Sequence, residues 1–144
     1  MKSTLADLAE TLGSSLHAYL AAAGVWSFPG DEAIKLAIID LVDDQRSLAD
    51  EAGRRLEQHG ETPPRPAFPI QYTSTHDVDL GAMLPRVLDG LRHQVARFER
   101  LVDTGGVPDD IDLVRQAREA TLQHADVLEE IVRRGGRSAP VPVS

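Results

Sequence analysis

The strongest constraint on this chain is the contrast between one long link and two short ones. From about Glu61 to Val78 the sequence carries Pro63, Pro64, Pro66 and Pro69 and shows no helical period. Proline lacks a backbone N–H, and the residue before it avoids helical angles, so this stretch reads as extended. At about 3.3 Å per residue it reaches roughly 50–60 Å. On either side lie segments whose apolar residues recur at i, i+3 and i+4, the period of a helix with one buried face. Segment A runs from about 3 to 23 on Leu5, Leu8, Leu12, Leu16 and Leu20, and segment B from about 31 to 59 on Ile34, Ile38, Leu41, Leu48 and Leu56. Segment C, about 79–104, repeats Met83, Val87, Leu91, Phe98 and Leu101, and segment D, about 109–134, repeats Val114, Ala117, Thr121 and Leu128. Gly24, Gly60, Gly105-Gly106 and Gly135-Gly136 follow the four segments as stops.

Short links make A–B and C–D antiparallel hairpins. Helix B is about 43 Å long at 1.5 Å per residue. The link over 61–78 therefore spans the whole bundle and starts C at the same end as B. The expected fold is all-α: one four-helix bundle domain over 1–134, two antiparallel hairpins joined by a long crossover, and a flexible tail at 135–144.

This architecture resembles the ferritin-like superfamily. Leu16-His17-Ala18-Tyr19-Leu20 on A and Leu48-Ala49-Asp50-Glu51-Ala52 on B are similar to stretches of the mini-ferritins that protect DNA. The resemblance implies a di-iron site, built from one Glu on each of two helices and Glu-x-x-His on the other two. Here the pattern departs. Segment B offers only Asp40-Leu41-Val42-Asp43, and Glu119 and His124 on D are five positions apart, off a shared face. The family's intersubunit alternative would place iron on His17 and Asp44, but Leu48 stands where its Glu belongs; His124 is the remaining candidate metal ligand. The expectation is a ferritin-like binding or structural module without an intact di-iron centre and without a cofactor. The alternative is an iron-oxidising or iron-storing mini-ferritin with atypical ligands.

The inward polar positions are Gln45, Gln94, Thr121 and His124. They read as a core layer whose members satisfy one another, because buried polar groups need partners. A remnant pocket for a small polar ligand, water or a metal is the other reading. His17 and His93 fall at stripe edges, as half-exposed hydrogen-bonding residues. His59 suits the C-terminal end of B, and His76 reads as a cap before C. The acidic run Asp40, Asp43, Asp44, Asp50 and Glu51 reads as a solvated face of B. Gly105-Gly106-Val107-Pro108 is a turn after a helix, not a phosphate cradle.

Composition excludes several chemistries. The 144 residues contain no cysteine, which removes disulfides, thiolate catalysis and cysteine-held metal. Lys and Arg number 15 against 23 Asp and Glu, and aromatic residues are 4% of the chain, so neither a phosphate-binding surface nor base stacking is expected. No apolar run is long enough to span a membrane, and the N-terminus lacks a signal-peptide pattern, so a cytoplasmic location is expected. Trp26, Leu36 and Ile39 add apolar surface beyond one core face. They read as the interface of a homodimer or higher homo-oligomer, or as ground covered by Phe68 and Ile70 of the crossover.

Overall fold

The computed structural model describes residues 3–23, 32–65, 68 and 80–138. It is all-α: the described residues form five helices and no strand, α1 (Thr4–Gly13), α2 (Leu16–Ala23), α3 (Glu32–Gln58), α4 (Leu80–Thr104) and α5 (Pro108–Ser138). Trp26, Ile70, His76 and residues 139–144 lie outside the described residues.

Segment A is two helices rather than one. Ser3 opens α1, its Oγ accepting the Ala6 N–H at 3.1 Å. Ser14 closes it with an N–H to the Glu10 carbonyl at 3.1 Å. Ser15 then begins α2 afresh: its Oγ accepts from Ala18 N and its carbonyl from Tyr19 N. Gly13, Ser14 and Ser15 are weak helix formers, and serine side chains compete for backbone partners, so the local sequence permits the break.

The other ends follow capping chemistry. After α3, Gly60 turns to φ 76° and the Glu61 N–H reaches back to the Leu56 carbonyl at 2.9 Å, a Schellman closure. Pro108 takes the first helical position of α5, where a missing N–H costs nothing, and Ile111 N bonds the Val107 carbonyl. Pro85 lies within α4 on an exposed position near its start. At the far end α5 does not stop at Gly135-Gly136 but continues to Ser138. A glycine costs a helix only about 1 kcal/mol, which disfavours the helix without terminating it.

The core is two clusters. One joins Leu16 and Leu20 of α2, Ile38 and Leu41 of α3, Met83 to Leu91 of α4, and Leu128 of α5. The other joins Leu5, Leu8 and Leu12 of α1, Ala52 and Leu56 of α3, Phe98 and Leu101 of α4, and Leu113 to Ala117 of α5. Each cluster thus takes the N-terminal parts of α3 and α4 together, or their C-terminal parts together. Arg97 of α4 ties the second cluster to α1, its Nε donating to Asp7 Oδ1 at 3.0 Å. Arg55 of α3 bonds the Asp109 carbonyl at the start of α5.

The described part of the link returns along α3. Pro63 sits 3.6 Å from where a side chain on Gly53 would begin, and Phe68 packs edge-on against Tyr19 with ring centroids 5.3 Å apart. Phe68 therefore stands beside α2 and the middle of α3. Leu36 and Ile39 remain 63% and 39% exposed.

Phe98 is fully buried in the second cluster. Replacing it with Ala should cost about 3–5 kcal/mol, as the lost transfer energy and the cavity add. Urea unfolding followed by circular dichroism measures this.

Candidate functional site

Between the two apolar clusters lies a buried polar layer to which every helix contributes. Its members are His17 from α2, Gln45 from α3, Gln94 from α4, Thr121 from α5 and the Thr11 carbonyl of α1. The four side chains are buried, His17 and Thr121 completely.

The bonds form a chain whose direction is fixed at one end. Gln94 Nε2 meets the Thr11 carbonyl at 2.9 Å, and a carbonyl can only accept. The Gln94 amide must therefore turn its oxygen toward Gln45, whose Nε2 donates to it at 2.8 Å and to Thr121 Oγ1 at 3.1 Å. Gln45 Oε1 is then left to face His17 at 2.8 Å, so His17 must donate from Nε2. The ring is the Nε2–H tautomer, and its Nδ1 is a buried acceptor with no partner among the described residues.

The same chain accounts for the break in the first helical segment. In a continuous helix the Thr11 carbonyl would accept the Ser15 N–H four residues on. Here no such bond forms, and the Gln94 amide takes that carbonyl instead. A side chain inserted into the ladder is a recognised cause of a kink.

Burial lowers the His17 pKa from 6.5 to about 4; the bond to Gln45 opposes this and the positive charge of His124 adds to it. A proton binds the unfolded imidazole near 6.5 but the folded one only near 4. Stability is therefore full above pH 6.5 and is lost as pH falls from 6.5 toward 4, by on the order of 3 kcal/mol.

His124 does not join the layer. Its Nε2 meets Asp44 Oδ2 at 2.5 Å on the α3–α5 seam, where Asp44 is exposed. Position 124 is three residues from Thr121, which carries its side chain to the flank of the layer instead of its centre. His17 replaces it as the fourth member. A continuous helix would leave His17 at the edge of the stripe; the irregular turn at Ser14-Ser15 sends it inward with Leu16 and Leu20. His93 stays exposed, its Nδ1 on the Asp89 carbonyl at 2.8 Å.

A di-iron centre does not fit these residues. The inward positions hold two amides, a hydroxyl and an imidazole, already bonded to one another, where hard carboxylate oxygens are needed. Of His17, Asp44 and His124, the last two touch each other, while His17 turns to Gln45. Among the described residues no group of three or more His, Asp or Glu is placed to hold a metal ion.

Two clefts flank the break. One of about 480 Å³ lies between α1–α2 and α4, with Ser14, Arg86, His93 and Gln94 on its walls. Another of about 350 Å³ lies between α2, α3 and Phe68, with Val42, Gln45 and Arg46 on its walls. Among the described residues no helix is long and apolar enough to cross a membrane. Comparison with protein-family models, curated proteins and solved structures finds no match.

Gln45 is the node of the layer. Gln45→Leu strands His17 Nε2, Gln94 Oε1 and Thr121 together, each buried, and should cost about 3 kcal/mol or more at about 1–3 kcal/mol per orphaned group. Gln94→Leu, which strands Gln45 Nε2 in part and the Thr11 carbonyl, should cost less. Denaturant midpoints of the two variants check the order.

Proposed function

We propose that this chain is a ferritin-like four-helix bundle, with a crossover between α3 and α4, that works through its surface as a homodimeric binding or structural module. The observation that carries this is the polar layer: the inward positions hold neutral groups bonded to one another and no carboxylate. Such a centre supports helix register, and it offers no carboxylate oxygens for oxidative iron chemistry. The bundle topology is supported by the two clusters, each of which pairs like ends of α3 and α4. The return of Pro63 and Phe68 along α3 supports the crossover.

The dimer would use Leu36 and Ile39, whose exposure on α3 leaves apolar surface for a second copy. A two-fold interface is the commonest way to cover such surface. Trp26 belongs to this proposed interface by sequence alone. Iron oxidation at a subunit contact would instead need carboxylates to complete the Asp44–His124 pair.

Sedimentation of the purified chain should give twice the monomer mass, and Ile39→Asp should give a monomer that is still helical by circular dichroism. A wild type that is monomeric at high micromolar concentration would overturn the dimer. Ferrous ion added in air should oxidise no faster than in buffer, with no stoichiometric iron retained. Two irons bound per chain, or a cage-sized particle, would overturn the reading of the centre.

A further inference from the structure

The joint between α1 and α2 combines three features that the functional reading leaves unused. The first is a seam in the backbone ladder. The Ser14 N–H belongs to α1, through Glu10, and the Tyr19 N–H belongs to α2, through Ser15, with no helical bond joining Ser15 to Thr11. Separating the two helices at this point leaves the Ser14-to-Glu10 and Tyr19-to-Ser15 backbone bonds intact. Each has its own cap, Ser3 for α1 and Ser15 for α2.

The second is unequal anchorage. Helix α1 is held by Leu5, Leu8 and Leu12 in one cluster and by the Asp7–Arg97 ion pair. The eight residues of α2 place Leu16 and Leu20 in the other cluster, whose remaining members come from α3, α4 and α5. Its side-chain bond into the layer is that of His17 to Gln45.

The third is the state of that histidine. Its Nε2–H is committed to Gln45, and Nδ1 is buried without a partner. A proton can land only on Nδ1, where it would be a charged donor facing no acceptor. The groups around the ring offer it nothing. Helix α3 presents Gln45, whose oxygen is already used; α4 presents Gln94, committed to Thr11 of α1; and α5 presents Thr121. The charged group felt at the ring is His124 of α5, which repels it, with Asp44 of α3 turned to His124. An uncompensated buried charge is relieved by exposing it to water.

We propose that the α1–α2 joint is an acid-operated hinge: a proton on His17 ejects α2 from the polar layer while α1, α3, α4 and α5 keep their packing. Opening withdraws Leu16 and Leu20 from the apolar cluster that they share with Ile38, Leu41 and Leu84. The closed-to-open ratio for α2 falls about 100-fold between neutral pH and pH 4, since each pKa unit between open and closed forms is a factor of ten and the closed form is half protonated at pH 4.

Hydrogen exchange of the full chain from pH 7 to pH 4, corrected for intrinsic rates, reads the hinge directly. Amides of 16–23 should lose protection by up to about 100-fold, with the midpoint between 6.5 and 4, while those of 4–13 and 87–101 stay protected. His17→Gln, which keeps a donor for Gln45 and cannot titrate, should hold 16–23 protected throughout. If that variant fails to fold, the ring signal of His17 in the wild type serves: its titration should coincide with the loss of protection at 16–23. Loss of protection at 16–23 and 87–101 together, unchanged protection at 16–23, or an acid opening that persists in His17→Gln would each overturn the hinge.

Discussion

The bond from Gln94 to the Thr11 carbonyl sets much of what is unusual in this molecule. It takes a backbone acceptor out of a helix and gives it to a side chain from across the bundle. Once that acceptor is committed, the orientation of Gln94, then of Gln45, then the tautomer of His17 follow without further choice. The broken helix and the buried layer are one arrangement. A helix end normally leaves carbonyls to water or caps; here one of them is used inside the core.

The layer divides the apolar interior into two clusters. Each cluster alone is greasy and tolerant, since hydrophobic contacts are non-directional and Leu, Val and Ala can slide past one another. Hydrogen bonds at 2.8–3.1 Å between four elements do not tolerate a slip of one helical turn, about 5.4 Å, without orphaning buried groups. The polar layer therefore contributes uniqueness of register more than it contributes net stability.

The sequence displayed the helices plainly because long stripes of Leu, Ile and Val repeat at the helical period. The proline-rich link and the Gly60 and Pro108 signals placed the boundaries of α3 to α5 within a residue or two at most ends. The exception was α5, where Gly135-Gly136 weakens a helix that nonetheless runs on to Ser138. Gln45, Gln94 and Thr121 stood out as polar residues in phase with apolar stripes, and they meet in the structure. What the stripe could not display was the break at Ser14-Ser15, since Leu12 and Leu16 keep their spacing across it. The rotation of α2 that buries His17, and leaves His124 on a flank with Asp44, depends on a bond to Gln94 at a separation of 83 positions. Helical periodicity carries no information about such a partner. The run Gly13-Ser14-Ser15 was the only local hint.

The separations within the layer also order events during folding. Its bonds join residues 28, 49, 76 and 83 positions apart. Helices and adjacent hairpins form from nearby contacts, whereas closing long loops costs entropy before any contact repays it. No single hairpin contains enough of the chain to build the Thr11–Gln94–Gln45–His17 string. The string closes only after the first helical pair has met the second, so a collapsed bundle with the wrong neighbours would carry unpaired amides at its centre. The layer thus acts as a proofreading step on the assembled chain, rejecting arrangements that the two greasy clusters alone would accept.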